Sequence, residues 1–124
     1  MQDEPTPGEL INAVADFLRK EIVPAIKGHN AFKLRVGINA LDLVVRQLAL
    51  AEGSDAAETA RLTRLLGAQG SLAELNRALA DRIATGEADL QTPGLAEHLW
   101  QTTMDKLAID QPNYAAYRRE MDVK

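Results

Sequence analysis

Between Asn30 and Ala51, apolar residues recur at helical spacing on two separate sides of one segment. At about 100° per residue, Leu34, Ile38, Leu41, Val44, Val45 and Leu48 form one broad face, and Phe32, Val36 and Leu43 form a second. A narrow polar stripe, Arg35, Asn39, Asp42 and Arg46, runs between them. A helix that is apolar on two sides is touched on two sides. This segment is therefore expected at the centre of its fold, or with one face against a second copy of the chain.

The flanking segments read as helices too. Thr6, Pro7 and Glu9 form a start signal: a capping hydroxyl, a proline at the first helical position and an acid for the capping box. Behind it Leu10, Ile11, Val14, Phe17, Leu18 and Ile22 share a face until Pro24 interrupts the helix, and Gly28 offers a stop. Glu52-Gly53-Ser54 is expected to break the second helix, with Asp55 and Glu58 capping a short third one that carries Leu62, Leu65 and Leu66. Ser71 and Glu74 spell another capping box, followed by the seam Leu72, Leu75, Leu79 and Ile83, which Gly86 closes. Thr92-Pro93 should open a fifth helix with Leu95, Ala96, Leu99, Trp100, Thr103, Met104 and Leu107 on its apolar face, ended by Pro112. A last short helix fits Tyr114 to Met121.

No segment alternates with period two, so no strand is needed. The expected fold is all-α: one domain over residues 1–124, an antiparallel bundle of five or six helices with the second helix central. Its core should join Leu34, Ile38, Leu41, Val45 and Leu48 to Leu10, Val14, Phe17, Leu75, Leu79, Leu99 and Leu107.

Composition excludes several functions. There is no Cys, hence no disulfide, thiolate nucleophile or Cys-based zinc site. A net charge of −4 with scattered basic residues, and only 4% aromatics, leave neither a basic stripe nor a stacking platform for nucleic acid. The acidic start Met1-Gln2-Asp3-Glu4 is not a secretory signal, and no apolar run is long enough to span a membrane. A cytoplasmic location is expected.

The chemistry-bearing residues are few. His29 and His98 lie far apart, and His98 has no carboxylate on its own helical face, so both read as structural or solvent-facing and no metal or other cofactor is expected. The stripe Arg35, Asn39, Asp42, Arg46 has two readings. It is a structural or interface seam in which Asp42 pairs with Arg46 at i, i+4, or it is a clamp in which two guanidiniums hold a carboxylate or phosphate. Lys106 with Asp110 is a second candidate pair. Snorkelling accounts for the lysine, whereas burial would make its amine reactive.

Four stretches carry a resemblance: Gln2-Asp3 with Thr6 to Phe17 (TPGELINAVADF), Ala31 to Leu41 (AFKLRVGINAL), Leu72 to Leu79 (LAELNRAL) and Lys106 to Tyr114 (KLAIDQPNY). Together, in this order, the chain resembles a family of short bacterial proteins known only as a domain of unknown function. The resemblance implies association with aminoglycoside-phosphotransferase-like kinases and acyl-CoA dehydrogenases, and supplies no catalytic residues. The functional expectation is a non-enzymatic accessory module for such a partner, able to form homodimers. The alternative is a small-ligand binder or enzyme that uses the arginine stripe on a phosphate, carboxylate or CoA-linked acid.

Overall fold

The computed structural model describes residues 4–123, apart from the side chain of Val123. Gln2 and Asp3, which carry part of the resemblance, lie outside the described residues. The order of elements is α1 (Pro7–Phe17), a π-helical turn (Leu18–Ile22), a 3-10 turn (Val23–Ala25), α2 (His29–Leu66), α3 (Leu72–Thr85), α4 (Leu95–Asp110) and α5 (Ala115–Val123). Among the described residues there is no strand, and the fold is all-α. By its contacts the chain divides into two compact units, Met1–Ala51 and Glu52–Lys124.

Local chemistry sets several helix ends. Thr6 accepts from the Glu9 amide at 3.1 Å, and its hydroxyl donates to Glu9 Oε1 at the same distance. Ser71 and Glu74 complete a reciprocal capping box, and the bonds from the Ser71 backbone and side chain hold the Glu74 carboxyl below its ordinary pKa. Gly86 ends α3 at φ 82, a left-handed conformation that costs glycine nothing. Pro24 stops the first helix as expected, through a wider π turn and then a 3-10 turn.

Two boundaries differ from the sequence reading. Glu52-Gly53-Ser54 does not break the second helix: α2 runs unbroken for 38 residues. One helical glycine costs about 1 kcal/mol relative to alanine, which good helix formers on both sides (Ala49 to Ala51, Ala56, Ala57) can absorb. The backbone at Gly53 is not left-handed, and Asp55 starts no new helix: its carbonyl accepts from the Thr59 hydroxyl at 2.8 Å. A Cβ on Gly53 would meet nothing within 4 Å. Gly53→Ala is therefore expected to stabilise the protein by roughly 0.5–1 kcal/mol, read as a raised denaturant midpoint. A lowered midpoint would mean that the helix needs a glycine there.

The second difference is the start of α4. Thr92 accepts from the Asp89 amide at 3.0 Å and so belongs to the preceding loop, while Gly94, left-handed at φ 84, is the helix N-cap. The helix opens at Leu95, without a capping side chain.

In the first unit α1 and the early part of α2 run antiparallel: Arg19 pairs with Asp42 at 2.6 Å, while Gly8 and Asn12 share a small cleft with Val45, Leu48 and Ala49. Ala15, Ala31 and Ile38 are its buried residues. The expected core is only partly realised. Ile38 is buried and Leu34, Leu41 and Val45 are half-buried, but Leu10, Val14, Phe17 and Leu48 are exposed. The apolar face of α1 is wider than its contact line, and small Ala15, not the line Leu10–Val14–Phe17, occupies that line.

The second unit holds the larger cluster: Leu62, Leu66, Leu75, Leu79, Ala88 and Leu95, flanked by Leu72 and Ala78. Burial of each leucine stabilises by about 1.5–3 kcal/mol. Leu107 is half-buried, while Leu99 and Trp100, expected on the apolar face of α4, are exposed. Leu95 and Met104 are buried as expected, and the other buried residues of α4 are His98 and Ile109, with Thr102 and Asp105 half-buried between these two on the same helical line.

Candidate functional site

That line places an imidazole where an aliphatic side chain would be ordinary. His98 is 2% exposed, the one buried polar residue among those described. Its partner comes from another helix. Arg61 of α2 donates from Nε to His98 Nδ1 at 3.0 Å and from a terminal guanidinium nitrogen to Thr102 Oγ1 at 3.1 Å. Farther along, Leu65 lies 3.4 Å from where a Cβ on Gly94 would sit. As α2 is followed backwards from Leu65 to Arg61, its contacts advance along α4 from Gly94 to Thr102, so these two helices run antiparallel.

The arginine decides the state of the ring. A guanidinium Nε can only donate, so Nδ1 can only accept and carries no proton. The neutral imidazole then has its proton on Nε2. Burial lowers the His98 pKa first and the charge of Arg61 lowers it further, against a smaller upward effect of Glu58. Glu58 is itself tied to α3 through Asn76, at 2.8 Å.

No buried side-chain polar atom among the described residues lacks a hydrogen-bond partner. Among the described residues His98 Nε2 has no protein acceptor, so the ring's small accessible area includes Nε2. His98 lines a cleft of about 1070 Å³ between α2 and α4. Gly53, Ala57 and Ala60 keep the α2 wall low, Arg61 and Arg64 bring positive charge, and Glu97, Gln101 and Asp105 form the α4 wall. Gln101 donates to Asp105 at 2.8 Å. A fixed N–H donor in a cleft that Arg61 and Arg64 also line can bind an acceptor oxygen. It cannot serve as a general base while Arg61 holds Nδ1.

The residues singled out from sequence lie elsewhere. Arg35 and Asn39 are exposed, and Asp42 and Arg46 are half-buried. Asp42 is held by Arg19, a partner from α1's side of the hairpin. The four line neither the cleft at His98 nor the smaller one at Thr6–Asn12, and so share no groove there. Lys106 and Asp110 are both exposed and make no ion pair with each other. No group of three His, Asp or Glu that could hold a metal occurs among the described residues, and no described helix is long and apolar enough to cross a membrane.

The sequence reading passed over Arg61 and Thr102, took His98 as structural or solvent-facing, and put Asp105 off its face, whereas seven residues on Asp105 falls on the same line. One signal was present: Leu95, His98, Thr102, Asp105 and Ile109 follow one another at spacings of three, four, three and four, which sets the histidine on a helical line that begins and ends in aliphatics.

In comparison with known proteins, a family model described as a domain of unknown function (DUF6285) matches residues 24–114. No curated protein and no solved structure matches the chain.

Proposed function

The chain belongs to the DUF6285 family, and we propose that it is a non-enzymatic binding protein that takes a small polar ligand in the cleft between α2 and α4. One observation carries this reading: a buried histidine, fixed in one tautomer by Arg61 and with no protein acceptor for its Nε2–H among the described residues, lines a cleft with a low, small-residue wall. This is the small-ligand alternative of the sequence reading, moved from the Arg35–Arg46 stripe to Arg61 and His98. The donor-only state of His98 argues against a general-base role.

The test is to fill the cleft. Ala57 is exposed on its wall. Ala57→Trp is expected to abolish the chemical-shift changes that small polar compounds produce at Arg61, His98 and Gln101, with the helical circular-dichroism signal unchanged. Retention of those changes in the filled variant would sink the reading, as would a compound library that perturbs none of these positions in the native chain.

A second reading, as an accessory module with a protein partner, is favoured by the first unit. Phe32 is 60% exposed, and Val36 and Leu50 on the same side of α2 are exposed too. Exposed apolar surface of this kind suits a protein partner. A kinase resembling aminoglycoside phosphotransferases or an acyl-CoA dehydrogenase is what the family resemblance implies, with Arg35 and Asn39 as polar contacts beside the apolar ones. A second copy of the chain is the other occupant, and light scattering over a range of concentrations separates the two.

A further inference from the structure

Resting on the cleft reading above, we infer that the group received there is an oxyanion, carboxylate or phosphate, seated against His98 Nε2–H, Arg61, Arg64 and the N-terminus of α4. His98 presents a donor and no acceptor, so only an acceptor atom satisfies it. Arg61 engages Nε and one terminal nitrogen within the protein, which leaves N–H groups on the other. Arg64, one turn along the same wall, is exposed and has no ion pair among the described residues.

The backbone adds to this end of the cleft. The N-cap of α4 is a glycine with no side chain to offer, and the Leu95 amide bonds Thr92 O at 3.1 Å. The Ala96 and Glu97 amides are left without an intrahelical acceptor, at the positive end of a 16-residue helix. By itself such a terminus is ordinary. Here the buried His98 N–H lies one turn inside it, on the same wall.

The acidic residues bound the ligand class. Glu97 and Asp105 line the cleft with Arg61 and Arg64, so formal side-chain charges balance. A polyanion gains little in such surroundings. At the Gly94–His98 end a single oxyanion meets these donors with Glu97 as the carboxylate lining that end, while Asp105, two turns further along α4, is already engaged by Gln101.

Nitrogen-detected NMR of the imidazoles in the full chain tests this, with exposed His29 as internal control. Inorganic phosphate, acetate and the neutral probe acetamide are titrated at ionic strength matched with chloride. The expected result is a saturable shift of the His98 Nε2–H resonance with phosphate or acetate, His29 being unmoved. Arg64→Ala, an exposed change that leaves the fold intact, is expected to weaken that binding about tenfold, near 1.4 kcal/mol. Saturation by phosphate alone assigns a phosphate ligand, and saturation by acetate alone a carboxylate. If acetamide moves His98 and Gln101 while neither anion does, the oxyanion assignment fails and the cleft reading stands. If no probe moves any cleft resonance, both fail. Undiminished anion binding in Arg64→Ala also overturns the assignment.

Discussion

Leu62→Ala is expected to cost about 2–5 kcal/mol, the largest loss from any single truncation in this chain. Leu62 is fully buried at the middle of the cluster formed by Leu66, Leu75, Leu79, Ala88 and Leu95. Truncation removes transfer energy and leaves a cavity that three surrounding helical segments cannot close, because each is held by its own backbone hydrogen bonds. A lowered urea midpoint at unchanged slope is the reading to look for. Leu41→Ala, by contrast, should cost markedly less, since Leu41 is only half-buried. A loss under about 1 kcal/mol for Leu62 would place the core elsewhere.

Arg61→Ala should produce the second large effect, and one with a pH signature. It strips the donor from a buried Nδ1 and from Thr102, and leaving a buried acceptor unsatisfied costs about 1–3 kcal/mol near neutrality. In the native fold the His98 pKa lies below its ordinary value of 6.5. As pH falls through that value the unfolded chain takes up a proton first, so stability declines until the folded-state pKa is reached, and above the ordinary range His98 contributes no slope. Removing Arg61 removes the second of the two causes that keep the ring neutral, burial being the first. The acid-side decline should become shallower in Arg61→Ala. In His98→Gln its His98 component should vanish. Urea midpoints measured on either side of pH 6.5 decide this, and an unchanged decline in both variants would show that His98 does not couple to folding.

What the sequence disclosed was chemistry between near neighbours. Thr6 with Glu9, Ser71 with Glu74, and Gly86 at a left-handed helix end are settled within a few residues, and these ends stand where the spacing put them. Gly53 misled because a helix breaker acts statistically: its cost is small against a long run of good helix formers. Thr92 misled because its hydroxyl had a competing use in the Asp89 turn. The faces of α1 and α4 were wide enough to fit several packings, and periodicity alone could not say that Ala15 would lie inside and Phe17 outside, or that His98 would displace Leu99.

The candidate site was hidden for a different reason. Arg61 and His98 are 37 residues apart on different helices, and Asp42 meets Arg19 across 23. Spacing within one helix shows a residue's face but not its partner. The stripe at Arg35–Arg46 stood out because it was polar beside apolar neighbours on one segment, whereas His98, Thr102 and Asp105 followed a line that begins and ends in aliphatics.

The π-helical turn at Leu18–Ile22 bears on how chains of this kind can vary in length. A π turn closes on the fifth residue back, as the Val23 amide does on Leu18 O, and so holds one residue more than an α turn. The surplus is contained in a single turn, ahead of the proline that ends the helix. A chain lacking one residue between Leu18 and Ile22 could close an ordinary α turn there and still present Ala15 on one side and Pro24 on the other. In alignments of such chains a one-residue gap belongs inside this helix, not in the loop that follows it.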